Sequence, residues 1–399
     1  MHYASFDKAV SIAVSAGRGA WLAKSDIKSA FRLLPVSPED YELLGFSFDG
    51  SFYYDRCLPM GCSISCALFE KFSTLLEFRV KFVTKSSSVT HYLDDFLFVG
   101  SSRSSCSTLL NTFTTICEEL GVPLAHEKTE GPSQTITFLG LEIDTLRQEI
   151  RVPEGKVQKI CAQNQQTLSQ AKISLLGIQS LVGSLNFLCR AIAPGRAFLR
   201  RLIALSIGLN HPYHKVRITK GARLDLLMGL QFLSQFNGVS AFLKHEWVAS
   251  DALELFTDAA ASIGFGAYFG GRWTQGRWQD ELISNPPSIA FLEFFPVVVA
   301  VKCWGALLAN HKVLFHCDNT AVVCIINKRT SGCPRIMHLL RIFVLECLKY
   351  NIVFKAVHVP GTHNERADAL SRFQMQRFRS ASPHADQKMT PLPILPQVW

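Results

Sequence analysis

The chain has 399 residues, of which 48% are hydrophobic and 18% charged, with a formal net charge of +9. This length predicts two or three domains, and the apolar content excludes a chain too polar to build a core. The basic balance fits a polyanionic partner, while twelve cysteines without C-x-x-C or paired Cys/His spacing exclude a zinc module and fit buried reduced thiols in an intracellular protein.

Residues 1 to about 150 read as mixed α/β. Asp7, Lys8 and Arg18 interrupt the apolar N-terminus, so no signal-peptide core forms. A short apolar stretch, Trp21-Leu22-Ala23, leads to Asp26, and Leu58-Pro59-Met60-Gly61 turns into an apolar helix. Val89-Thr90-His91 and Phe96-Leu97-Phe98-Val99 flank Tyr92-Leu93-Asp94-Asp95 and read as a hairpin. Adjacent carboxylates beside apolar strands need partners. One reading is a plain turn. The other is a set of acidic oxygens, Asp26, Asp94 and Asp95, presented to divalent metal.

These motifs, in this order, resemble the reverse transcriptase family. Asp26 to Phe31 matches its D-x-x-x-A-F motif, Pro59-Met60-Gly61 its P-x-G turn and Tyr92 to Asp95 its Y-x-D-D hairpin; Lys128 and Phe138-Leu139-Gly140 follow. The resemblance implies a palm in which Asp26, Asp94 and Asp95 hold two magnesium or manganese ions. It makes Phe31 the gate against ribonucleotides, and Gly61 and Lys128 contacts to nucleotide and template. The implied partners are an RNA template, an RNA–DNA hybrid and deoxynucleoside triphosphates. Because the first motif opens at Asp26, the family's fingers are expected to be mostly absent, which weakens polymerase activity relative to the second site below.

From 151 to about 250 strand character fades. Val157 to Ala171 and Ser174 to Arg190 have helical spacing, ended by Ala193-Pro194-Gly195. Arg190, Arg196, Arg200, Arg201, Lys215, Arg217, Lys220 and Arg223 are expected on a solvated face or, next to a palm, on a helical thumb and connection touching duplex phosphates.

Leu253 to Asp258, Ser262 to Phe269 and Arg272 to Trp278 read as three strands. A long apolar helix follows from Ile289, which Glu293, Pro296 and Lys302 disqualify as a membrane span, so that it is expected to be a buried amphipathic helix. A strand at Lys312 to Asp318, helices from Asn319 and Pro334, a strand at Asn351 to Val359 and a last helix from His363 complete the order βββαβααβα over 251–373. The tail, 374–399, is expected to be disordered.

Asp258, Glu293, Asp318 and Asp368 fall at element ends, the pattern of a four-carboxylate nest for two oxygen-ligated divalent ions. Here the chain resembles ribonuclease H in its retroelement form. That implies an α/β domain with a five-stranded mixed sheet, magnesium-dependent cleavage of RNA in hybrids, and His358, preferred to His363, in proton transfer or product release. Together with Leu292-Glu293-Phe294-Phe295-Pro296, the whole most resembles the polymerase region of DIRS-like (tyrosine-recombinase) retrotransposons. The expected fold is α/β multidomain: palm, helical thumb or connection, then a ribonuclease H-like domain. Three readings are open: a polymerase with ribonuclease H activity, a truncated or domesticated fragment with ribonuclease H activity only, and a non-catalytic nucleic-acid-binding protein.

Overall fold

The computed structural model describes residues 3–244, 246–284, 287–359 and 364–394. The chain is mixed α/β and divides into two compact units, Met1–Pro153 and Glu154–Trp399.

The first unit opens with α1 (Phe6–Ser15), capped by Ser5, and β1 (Trp21–Asp26). A short hairpin follows, β2 (Gly45–Phe48) and β3 (Ser51–Tyr54), then the long α2 (Ser65–Thr84). The motif hairpin is β4 (Val89–Tyr92) and β5 (Asp95–Gly100), and α3 (Arg103–Glu119) starts at a Ser102/Ser105 capping box. β6 (Glu130–Ser133) completes an antiparallel sheet ordered β4-β5-β1-β6. β7 (Thr135–Phe138), β8 (Leu141–Asp144) and β9 (Glu149–Arg151) form a meander. The alternation in β1 and β5 turns Ala23, Phe96 and Phe98 onto a core shared with Phe69 and Leu76 of α2 and Phe113 of α3. Leu22, Leu97 and Val99 on the opposite face are buried as well, so β5 reads as a continuous apolar run covered on both sides.

In the second unit come α4 (Glu154–Ser169), β10 (Lys172–Ser174), α5 (Leu175–Leu188), α6 (Arg200–Leu205), β11 (Lys215–Arg217) and α7 (Lys220–Leu233). Both expected helices form. Ala193-Pro194-Gly195 opens a 3-10 helix, and strand pairing persists between β10 and β11. After β12 (Val239–Ala241) and β13 (Trp247–Ala249) the chain enters β14 (Leu255–Ala260), β15 (Gly264–Phe269) and β16 (Arg272–Arg277). Then follow α8 (Asp280–Ser284), α9 (Ile289–Trp304), β17 (Lys312–Cys317), α10 (Thr320–Lys328), α11 (Pro334–Lys349), β18 (Val353–His358), α12 (Glu365–Ser371) and α13 (Met375–Ala381).

All five strands expected between 251 and 373 form, but in two three-stranded sheets. β14-β15-β16 is antiparallel, and β17 and β18 run parallel with β13 as a third strand that lacked a sequence signal. The helix from Ile289 is long and apolar enough to cross a membrane, with 72% of its most apolar window buried. It is not amphipathic: Phe291, Leu292 and the whole run Phe294–Val301 are buried, so it is wrapped on nearly every side.

The expectation of disorder beyond Phe373 is corrected for the residues described. Phe378 of α13 is fully buried among Tyr268, Trp273 and Ala369. The backbone then runs beside β16, with Asp386 N donating to Gly271 O at 2.8 Å and Thr390 N to Trp273 O at 2.8 Å. A Pro- and Ser-rich composition hid one well-placed aromatic anchor. The twelve cysteines form no disulfide among the described residues; Cys106, Cys117, Cys189 and Cys347 are buried as expected, whereas Cys66 and Cys324 are exposed.

Candidate active sites

In the first unit, antiparallel pairing of β1 with β5 sets Asp26 directly opposite Asp95. The β4–β5 turn consists of Leu93 and Asp94, with Tyr92 paired to Asp95. Ile27 N donates to Asp94 O at 3.2 Å, tying the turn to the residue that follows Asp26. The three carboxylates therefore repel one another. Burial, then Asp94 and Asp26, push Asp95 up to about 6. Burial, then Asp26, raise Asp94 above the ordinary carboxylate range. Lys128 Nζ donates to Asp26 Oδ1 at 2.9 Å, and that bond raises the lysine in turn. A cleft of about 700 Å³ opens here, walled by Asp26, Asp95, Lys128 and the Phe138–Gly140 turn.

Two other expected residues lie outside that cleft wall. Phe31 is half-buried, its ring edge-on to Phe69 at 5.4 Å. Gly61 is exposed at a φ of +90°, a backbone conformation that favours glycine, with open space where a side chain would stand.

In the second unit, Asp258 lies on β14 opposite Gly266 of β15. Gly266 lets α12 lie against the sheet, since a Cβ there would stand 2.5 Å from Leu370 Cβ. α12 carries Asp368 to Asp258, and Ser371 Oγ from the same helix donates to Asp258 Oδ2 at 2.6 Å. Asp318 directly follows β17, immediately before the Asn319 cap whose Oδ1 accepts from Ala321 N and Val322 N. Burial, then Asp258 and Asp318, push Glu293 up to about 8. Burial raises Asp258 as well, helped by Asp368 and Asp318 and opposed by Ser371.

Asp368 behaves oppositely. Burial pushes it up, but Arg372 Nε at 2.7 Å and Arg377 at 2.5 Å hold both its oxygens and bring it below the ordinary range. The i,i+4 spacing of Asp368 and Arg372 is legible in sequence; Arg377 lies in the segment expected to be disordered. His358 pairs in register with Cys317, and its Nε2 lies 3.1 Å from Asp318 O. His363 falls outside the described residues.

Oxygen donors of this kind suit magnesium or manganese. In both sites carboxylates are raised by burial first and by neighbouring carboxylates second. Among the described residues no three His, Cys, Asp or Glu side chains are set to hold a metal ion. Asp26 is turned to Lys128, and Asp368 to its two arginines. The donor chemistry fits; the side chains as placed bond to internal cations.

Residues 3–143 match the profile of the family described as reverse transcriptase (RNA-dependent DNA polymerase), which generally uses divalent metal ions. Protein P of heron hepatitis B virus is 30% identical over 165 residues, 41% of this chain and 20% of that protein. The enzymatic polyprotein of cauliflower mosaic virus is 22% identical over 358 residues, 87% of this chain and 49% of that protein. The chain thus spans about a fifth of the hepadnaviral relatives it matches and about half of the polyprotein. A foamy viral protease–reverse transcriptase solved with double-stranded DNA superposes with a TM-score of 0.47 at 16% identity, over 88% of this chain and 59% of that one. Residues 3–143 are therefore similar to the reverse transcriptase family and to the polymerase proteins of these viruses.

Proposed function

We propose that the chain is an RNA-directed DNA polymerase with a second, ribonuclease H site, and that its segments are a palm to about residue 150, a helical thumb or connection to about 250, and a nuclease domain to 373. The observation that carries the reading is the juxtaposition of Asp26 with Asp95 across β1 and β5, with Asp94 at the turn. Asp26, Asp94 and Asp95 would hold the metal ions of the first site, and Asp258, Glu293, Asp318 and Asp368 those of the second. Two bound ions would activate the attacking oxygen and stabilise the leaving one. The carboxylates themselves fix where that charge sits, because β-sheet register leaves them little freedom. Lys128 supplies a cation beside Asp26, suited to a nucleotide or template phosphate. Gly61 keeps the neighbouring backbone open to the incoming base. His358, against Asp318 O, would carry a proton at the second site. The substrates are an RNA template, deoxynucleoside triphosphates and the resulting hybrid. The phrases around Asp26 and Glu293 favour a tyrosine-recombinase retrotransposon as the source, acting inside the cell.

The test uses purified protein with magnesium in two assays, primer extension on an RNA template and cleavage of a labelled hybrid. Asp94→Asn is expected to abolish extension and leave cleavage unchanged, and Asp258→Asn to do the reverse. Equal loss of both activities in either variant would sink the two-site reading. A second reading, hybrid binding without cleavage, draws on the arginine pair that takes both oxygens of Asp368. It predicts hybrid binding by the wild-type chain with no cleavage at any magnesium or manganese concentration.

A further inference from the structure

Beneath the β4–β5 turn lies a set of buried ionisable side chains that the proposed chemistry does not use. Glu70 and Glu77 stand seven residues apart on α2, on the face that packs on β4. Their residues are 3% and 8% exposed, and His91 of β4, between them, is 4% exposed. His91 Nδ1 bonds to Glu77 Oε2, and His91 Nε2 lies 3.4 Å from Glu70 Oε1. Phe96 of β5 stacks on the imidazole at 5.2 Å, Lys81 of α2 bonds Glu77, and Lys8 of α1 stands 3.8 Å from it. Burial pushes Glu77 up, but its bonds from His91 and Lys81 prevail and bring it down to about 2. Charges placed this deep cost stability unless each is held, and an apolar trio would serve packing alone equally well.

The other oxygen of Glu70 shows what the set holds. Leu93 N donates to Glu70 Oε2 at 3.2 Å. Leu93 has a φ of +53°, a left-handed conformation unfavourable for a residue with a branched side chain, at the turn position immediately before Asp94. On the far side of the turn, Asp94 O accepts from Ile27 N. The turn is thus gripped at both peptide groups, by Glu70 at one end and by the neighbour of Asp26 at the other.

We infer that Glu70, oriented by His91 and Glu77, is a positioning residue that holds the strained Leu93–Asp94 turn so that the Asp94 carboxylate faces Asp26 and Asp95. The inference rests on the proposed polymerase reading for its consequence, and its test separates the two. In the 399-residue chain, hydrogen exchange at the Leu93 amide and nucleotide-addition kinetics are measured for Glu70→Ala and Glu70→Gln. Glu70→Ala removes the acceptor, so the Leu93 amide should exchange roughly tenfold faster and kcat fall roughly tenfold with KM within about twofold. Glu70→Gln keeps an acceptor oxygen and should restore both to within about threefold. Should Glu70→Ala not fold, Glu70→Leu/His91→Phe removes the two polar side chains together and leaves Glu77 with Lys8 and Lys81; the same faster exchange is expected. Unchanged exchange in the alanine and double variants, or failure of folded Glu70→Gln to protect Leu93, overturns the brace. A wild-type chain without primer extension overturns the polymerase reading, and the exchange measurement still judges the brace.

Discussion

Phe31 has one observed role, in packing, and one proposed role, as a gate. Its spacing from Asp26 makes it the expected gate against ribonucleotides, and the structure sets its ring edge-on to Phe69 with part of its surface in solvent. A ring braced on one side is stiff on the other, which is what steric rejection of a 2′-hydroxyl requires. Phe31→Val is expected to raise ribonucleotide incorporation roughly tenfold relative to deoxynucleotide, measured by single-nucleotide extension. Unaltered sugar discrimination would reduce Phe31 to a core residue. At the same scale, Arg201 and Arg223 show why a basic residue is not by itself a phosphate contact. Arg201 pairs with the buried Asp225, which Arg341 also holds, and Arg223 bonds the carbonyls of Leu168 and Gln170. Both were expected on a solvated face or toward duplex phosphates; instead the buried acid and the open carbonyls hold them.

Among the elements, α12 and α13 act as a pair. Gly266 lets α12 approach β15, and α13 then covers α12 with Phe378, whose ring lies 5.4 Å from Trp273 and 6.2 Å from Tyr268. α13 also returns Arg377 to Asp368. Phe378→Ala is therefore expected to destabilise the second unit by about 3–5 kcal/mol in denaturant unfolding, and to weaken hybrid cleavage by loosening the helix that carries Asp368. A stability change below about 1 kcal/mol would show that α13 is only draped on the surface. α9 is the opposite case. Its apolar run was legible, yet its surroundings were not: a helix hydrophobic on all faces satisfies the same composition whether lipid or protein encloses it. Only the packed neighbours give Glu293 its place beside Asp258 and Asp318.

On the scale of the whole molecule, the charge of +9 is unevenly used. Arg196, Lys215, Arg217 and Lys220 remain exposed in the second unit, with Lys215 and Arg217 on β11 beside exposed Lys172 of β10. Binding to an RNA–DNA hybrid is expected to fall linearly in log–log with salt. Alanine at Lys215, Arg217 and Lys220 should make the slope shallower by roughly 0.9 for each phosphate that is no longer neutralised. A slope unchanged by the triple substitution would remove this surface from the nucleic-acid path.

The sequence alone determined the motifs and the order of the elements that carry them. Local patterning was enough for the β4–β5 hairpin, for β14–β18 and for the helices from Asn319 and Pro334, because alternation, caps and turn residues act over a few positions. It also singled out the carboxylates, since acids at the ends of apolar strands are conspicuous. Tertiary structure alone decided which charges meet. Asp26 and Lys128 are 102 residues apart in the chain and 2.9 Å apart in space. Arg377 reaches Asp368 from a segment whose composition argued for disorder, and Glu70 reaches Leu93 from a helix that reads in sequence only as apolar. Such pairings follow from sheet register and helix packing, which sum many weak apolar interactions over the whole unit, so no short stretch of sequence contains them.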